Sequence, residues 1–275
     1  MNVVQTDQDL RSAEIRLEKR LLRQVGRASK EHRLIEPGDR ILVGISGGKD
    51  SWTLLYLLRQ LQRRAPFDFS FVAVNLDQGH PGFPAHVLRD YFEAEGYEYE
   101  LLKHDTYSIV LDKIAPGKTQ CSLCSRLRRG ILYNAAVELG CSKIALGHHR
   151  DDAIETLMLN LLYSGRIKSM PPRLTSDDGR NVVIRPLINC AEEEVAHFSR
   201  LKGFPIVPCD LCGSQPNLQR QQVKRLLAEL NAANPKVKGN LFAALHKVVP
   251  SHLMDLELRE QLGLGEVVGT DPAVP

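Results

Sequence analysis

Two groupings in this chain go beyond what packing requires. One is the run Ser46-Gly-Gly-Lys-Asp-Ser51; the other is a set of four cysteines in two Cys-x-x-Cys pairs. Gly47 and Gly48 lack a Cβ, so the backbone can bend there and press its N–H groups against an anion. Ser46 and Ser51 add hydroxyl donors and Lys49 adds a positive charge. The run follows the aliphatic stretch Ile41–Ile45 and precedes Trp52–Leu58, which has a helical pattern. A strand, a tight glycine turn and a helix N-terminus together form a phosphate cradle. The order departs from G-x-x-x-x-G-K-[ST], so the cradle is not the common P-loop.

Cys121 and Cys124 form one pair, Cys209 and Cys212 the other. Such pairs suit a four-cysteine zinc site, an iron–sulfur cluster on three or four thiolates, or a redox dithiol. Arg126, Arg128 and Arg129 follow the first pair and fit an anionic cluster or a nucleic acid. Cys141 and Cys190 lie beside apolar runs and read as core packing. Asp151 and Asp152 close the segment Gly147-His-His-Arg-Asp-Asp152, between a short strand and a helix. With Asp50, one of these carboxylates suits Mg²⁺ held against phosphates; both also favour a helix dipole. His148 and His149 read as hydrogen-bond partners, or as contacts to phosphate or ribose. Asp77 ends a second apolar run, where open α/β sheets bind ligands.

The elements that must position these residues alternate. A charged, periodic helix is expected over Leu10–Leu34, and strands over Ile41–Ile45, Phe69–Leu76, Tyr97–Leu102, Lys143–Gly147 and Val182–Pro186. Helices are expected at Ala85–Gly96, Ser125–Leu139, from the aspartates to Leu162, and over Glu192–Lys202. Thr106–Thr119 reads as less regular and Arg166–Gly179 as a basic exposed loop. Crossover spacing of strand and helix implies α/β architecture with a doubly wound parallel sheet. Helices near Asn217–Leu230 and Lys238–Val249 form a helical C-terminal part. The expected division is a helical segment over 1–34, an α/β domain over 35–215 carrying the phosphate cradle and both cysteine pairs, helices over 216–256 and a disordered tail over 257–275.

With 43% hydrophobic and 25% charged residues, composition is that of a soluble protein, and a net charge of +3 proves no nucleic-acid partner. Arg59, Arg63 and Arg64 form one basic group; Arg220, Lys224 and Arg225 form another. Each group alone reads as a solvated helix face. No apolar run is long enough to span a bilayer, and the opening residues carry no secretion pattern. The expected location is cytoplasmic, with no membrane partner.

Several separated motifs share one resemblance. The Ser46–Ser51 order resembles the PP-loop of ATP pyrophosphatases. With Val74–Asp77, Pro81–Pro84, Cys121–Gly130, Gly147–Asp152 and Cys209–Gln215, the chain from about Leu17 to Leu253 resembles the tRNA 2-thiocytidine synthetase family. The resemblance implies an ATP- and Mg²⁺-dependent thiolase acting on cytidine 32 in a tRNA anticodon loop. It implies a [4Fe–4S] cluster on Cys121, Cys124 and Cys212, whereas the cysteine pattern alone would add Cys209 as a fourth ligand. ATP is then held by Ser46, Gly47, Gly48, Lys49, Asp50, Ser51, Asp77, Gly147 and His148. Lys49, Asp50 and Asp151 serve catalysis, the two aspartates as Mg²⁺ ligands. The arginines after Cys124, with Arg166, Lys168, Arg173 and the C-terminal basic helix, become candidate tRNA contacts. A cysteine desulfurase as sulfur donor and a homodimeric assembly are the further implied partners. The alternatives are another PP-loop tRNA enzyme of the 2-thiouridine type, and a four-cysteine zinc module that binds RNA without catalysis. The zinc module leaves the PP-loop and Gly147–Asp152 unexplained.

Overall fold

The computed structural model describes residues 3–113, 121–207 and 218–264. The chain opens with helix α1 (Val3–His32), followed by strand β1 (Arg40–Ile45), α2 (Lys49–Gln62), β2 (Ser70–Asp77), α3 (Ala85–Glu95) and β3 (Tyr99–Lys103). Next come α4 (Thr106–Lys113), α5 (Cys121–Glu138), β4 (Lys143–Ala145), α6 (Arg150–Ser164), β5 (Arg173–Thr175), β6 (Val182–Ile184) and α7 (Glu192–Lys202). Helices α8 (Leu218–Ala233), α9 (Val237–Ala244) and α10 (Leu256–Gln261) complete the described chain, with a 3₁₀ turn at Pro250–His252.

The strands form one sheet in the order β3-β2-β1-β4-β6-β5, parallel except for β5, which pairs antiparallel with β6. Strand β1 lies in the middle, with Gly44 and Ile45 beside Val74 and Asn75 of β2. The β1 run is buried almost throughout because helices cover both faces of a parallel sheet. On one face α1, α2 and α7 pack together, and Trp52 of α2 meets Tyr91 and Phe92 of α3 at ring-centroid distances of 4.7 and 5.4 Å. On the other, Ala135 and Ala136 of α5 close over Leu42, Val72, Val74 and Ile144. The first strand, its glycine turn and α2 are thus fixed between two apolar layers.

Three local expectations change. Thr106–Lys113 is helical and not irregular, because the Asp105 carboxylate accepts the Ser108 N–H at 3.0 Å and caps the helix. Helix α5 begins at Cys121 instead of Ser125, so the first cysteine pair lies in its opening turn. The basic loop over Arg166–Gly179 contains the edge strand β5, added to β6 by antiparallel pairing.

The chain divides into two compact units, Met1–Leu226 and Leu227–Pro275. In the second unit, α10 is capped by Asp255, whose carboxylate accepts the Leu258 N–H at 3.0 Å. That short helix starts at the end of the expected helical part and continues into the stretch from 257 read as a tail. Among the described residues, no helix is long and apolar enough to cross a membrane.

Candidate active site

The Ser46–Ser51 run joins the carboxyl end of β1 to α2. Gly47 has φ +82°, and a Cβ there would lie 2.8 Å from the Val207 Cβ, so the turn excludes other residues sterically and conformationally. The Gly47 carbonyl also accepts the Val207 N–H at 3.0 Å, tying the turn to the segment after α7. Ser46 and Ser51 face each other with their Oγ atoms 3.3 Å apart, and Ser51 Oγ donates to the Gly48 carbonyl at 2.9 Å. No side chain caps α2, whose N-cap residue is Gly48. Its first turn presents backbone N–H groups and a positive dipole end to an incoming anion. These residues fit a triphosphate.

The segment after β4 lies directly against this turn. A Cβ on Gly147 would meet the Asp50 carbonyl carbon at 3.0 Å and the Ser51 nitrogen at 3.1 Å, so any side chain there would push against the PP-loop backbone. His149 is buried and caps α6. Its Nδ1 accepts the Asp152 N–H at 3.4 Å, while Asp152 Oδ2 accepts the His149 N–H at 3.0 Å. Its Nε2 lies 3.7 Å from Asp50 Oδ1, beyond hydrogen-bond distance. Asp152 is therefore engaged in the cap. Asp151 is buried, and its Oδ2 accepts the Glu192 N–H from the first turn of α7 at 2.8 Å. His148 is half-buried, and burial pushes its imidazole down to about 4 against the opposing pull of Asp152. It is neutral near pH 7, and its Nδ1 lacks a hydrogen-bond partner.

Asp50 Oδ1 is also buried without a hydrogen-bond partner, although Lys49 Nζ reaches the same carboxylate's Oδ2 at 3.1 Å. A buried carboxylate oxygen left in this state is costly unless a cation or donor completes it. This orphan oxygen beside a phosphate cradle fits Mg²⁺. Lys49 Nζ reaches Glu192 Oε1 as well, at 3.3 Å.

The neighbouring strand brings in the sulfur chemistry. Asp77 ends β2, and its Oδ1 accepts the Gly79 N–H at 2.9 Å, which turns the carboxylate into its own loop. One residue on, Gln78 Oε1 accepts from the Cys124 thiol at 3.1 Å and from Thr106 Oγ1 at 3.3 Å. Cys121 begins the same helix three residues earlier, so both cysteines of the first pair belong to its opening turn. A thiol pair at a helix N-terminus is suited to a thiolate-held group, because the dipole favours the anionic sulfur. Cys209 and Cys212 lie outside the described residues.

Other candidates separate cleanly. Cys190 is fully buried, and burial pushes its thiol well above the usual range; Cys141 packs against the core beneath α5. Arg126, Arg128 and Arg129 are exposed. Arg173 bonds the Arg33 carbonyl at 2.9 Å and Glu36 at 3.3 Å, so its charge serves the fold. Arg59 lies 3.2 Å over the Tyr97 ring and also binds the Glu95 carbonyl. Arg220 and Lys224 are half-exposed, as a solvated face requires, yet both also reach the buried Glu155, at 3.3 and 3.4 Å. Sequence reasoning misses Gln78, Glu155 and Glu192. Glu192 opens a Glu-Glu-Glu run whose plain meaning is dipole compensation, and the other two carry no local signal.

The PP-loop domain family model matches residues 17–230. A tRNA-cytidine(32) 2-sulfurtransferase of Anaeromyxobacter dehalogenans (strain 2CP-C) is 63% identical over 257 residues, covering 94% of this chain and 88% of the relative. One from Sorangium cellulosum (strain So ce56) is 60% identical over 250 residues, covering 91% of this chain and 88% of the relative. Among solved structures, the U34-tRNA thiolase NcsA from Methanococcus maripaludis with its [4Fe-4S] cluster matches with a TM-score of 0.68. At 21% sequence identity, covering 94% of this chain and 91% of that one, this likeness establishes the fold.

Proposed function

The chain belongs to the tRNA-cytidine(32) 2-sulfurtransferase family of PP-loop proteins, and on that premise we propose that it converts cytidine 32 of tRNA to 2-thiocytidine with consumption of ATP. The observation that supports this most directly is the bond between Cys124 and Gln78. It brings a sulfur-bearing helix N-terminus to the residue after Asp77, on the strand beside the PP-loop strand.

The C2 carbonyl of cytidine is a poor electrophile. Its oxygen first attacks the α-phosphorus of ATP and pyrophosphate leaves; a sulfide equivalent then adds at C2, and AMP departs with the former base oxygen. The PP-loop amides, Lys49 and the serine hydroxyls bind the triphosphate and stabilise the charge that builds on pyrophosphate. Asp50 and Asp151 hold Mg²⁺, which neutralises phosphate charge when bound. Asp77, at the end of β2, lines the nucleotide site, and Gly147 keeps the segment after β4 close against the PP-loop backbone. His148, kept neutral by burial, offers a donor or acceptor without adding charge. Cys121, Cys124 and Cys212 would hold a [4Fe–4S] cluster, which would supply a thiophilic site for sulfur when bound. An anticodon loop presents its bases unstacked at low cost.

A cysteine desulfurase as sulfur donor, a homodimeric assembly and a cytoplasmic location complete the reading, with the helices from 216 onward contributing basic residues to tRNA binding. Nucleoside mass spectrometry on bulk tRNA, with and without the gene, tests it. Loss of 2-thiocytidine is the expected result; unchanged 2-thiocytidine overturns the assignment.

A further inference from the structure

Glu192 has a place in the site that neither the phosphate motif nor the cysteine pattern assigns. Its backbone N–H donates to Asp151 Oδ2 at 2.8 Å, while its own carboxylate receives Lys49 Nζ at 3.3 Å. It therefore touches two residues of the proposed ATP site at once. A third cation converges on it: Lys224 Nζ of α8 lies 3.5 Å from both carboxylate oxygens and 3.4 Å from the buried Glu155. The sequence of charges is Asp50, Lys49, Glu192, Lys224, Glu155. Lys49 and Lys224 share the central carboxylate.

This sharing has a consequence for any phosphate that enters. Lys49 Nζ lies between Asp50 Oδ2 at 3.1 Å and Glu192 Oε1 at 3.3 Å, and Lys224 Nζ lies between Glu155 at 3.4 Å and Glu192 at 3.5 Å. A triphosphate on the PP-loop competes with Glu192 for the Lys49 ammonium. Left alone, that carboxylate would repel the nucleotide. Lys224 already stands at contact distance and can take up the full charge.

We propose that Glu192 is a positioning residue for Lys49: it holds the ammonium over the PP-loop before ATP binds and exchanges it for Lys224 once the triphosphate has taken the lysine. The inference rests on the PP-loop serving ATP, as argued above. Placement of Lys49 then contributes to turnover, since a cation aimed at developing charge needs no reorganisation during the reaction. Glu155 keeps Lys224 close throughout, which explains a carboxylate only 3% exposed on α6.

The exchange predicts weaker Mg·ATP binding for one substitution and not for the other, a pattern that general structural damage does not produce. Binding of Mg·ATP without tRNA and steady-state thiolation with tRNA are measured on wild type, Glu192→Gln, Glu192→Asp, Lys224→Gln and the Glu192→Gln/Lys224→Gln pair. Lys224→Gln leaves Glu192 uncompensated and raises the Kd for Mg·ATP about threefold or more. Glu192→Gln leaves that Kd unchanged or lower but lowers kcat about tenfold, and Glu192→Asp restores most of kcat. The double variant returns the Kd to the Glu192→Gln value. Thermal melting identifies any variant that fails to fold, and the Lys224→Gln arm stands independently, since Lys224 is half exposed. Weaker Mg·ATP binding in both single variants, or no change in either, overturns the exchange. Failure of wild type to bind Mg·ATP overturns the ATP reading itself, a separate outcome.

Discussion

The Cys124 thiol lies 3.1 Å from Gln78 Oε1, across 46 residues of sequence. Gln78 follows the last residue of β2, and Cys124 lies in the first turn of α5, so the bond joins the nucleotide-binding sheet edge to the cysteine helix. In the thiol form the sulfur donates. In a thiolate the roles reverse, and the Gln78 amide can turn its N–H₂ toward sulfur. Hydrogen bonds to ligating sulfur tune the potential of an iron–sulfur centre.

Gln78→Leu keeps the volume and removes that bond. Thiolation is expected to fall about tenfold, the order of magnitude of lost outer-shell partners, with a shifted reduction potential for the reconstituted protein. Iron content and a spectroscopic redox titration check this; an unchanged potential and rate would count against the contact.

Gly147→Ala places a methyl group 3.0–3.1 Å from backbone atoms of Asp50 and Ser51. Neither neighbour is a flexible side-chain end, so the loop after β4 must move away from the PP-loop. Overpacking of this kind costs about 1–3 kcal/mol. Steady-state kinetics with each substrate varied in turn should show the KM for ATP rising much more than the KM for tRNA.

Lys143 is 4% exposed and bridges Glu36 at 2.9 Å and Asp39 at 2.7 Å. Lys143→Met strands a buried Asp39 carboxylate and is expected to cost about 3 kcal/mol in denaturant unfolding. Hydrogen bonds from Lys143, then Arg33, hold Glu36 down at about 2. Its folded pKa is below the unfolded value of about 4.3, so its contribution is full above that value and is lost as pH falls toward 2. The acid limb of the wild-type stability curve should flatten in Lys143→Met.

Arg126 and Arg128 are exposed on α5 just beyond Cys124. If both meet tRNA phosphates, the double alanine variant should reduce the slope of log affinity against log salt by about 1.5, at roughly 0.7–0.9 per contact. Filter binding over a salt series measures it, and an unchanged slope removes these residues from the tRNA surface.

Much of the site is legible because its signals are local. Gly47 and Gly48 declare a turn that needs backbone freedom, and the Ile41–Ile45 run declares a strand buried on both faces. The helix at Thr106–Lys113 escapes notice although its cap, Asp105, stands one residue before it. An Asp followed three residues later by Ser carries too little periodicity to outweigh the polar residues around it. Arg173 and Arg220 read as basic surface, since a sequence shows a charge but not the carboxylate opposite it.

The sequence by itself determined the α/β sheet and the phosphate turn, because glycine dihedrals and strand burial act over a few neighbouring residues; that the first cysteine pair lies in the opening turn of α5 came only from the structure. Only the tertiary structure decided how the charges divide. Asp152 closes a capping box with His149, while Asp151 reaches across to Glu192. Lys49 shares Glu192 with Lys224, a residue 175 positions away along the chain. Coulomb interactions depend on separation in space and on local burial, and neither is written in the order of residues.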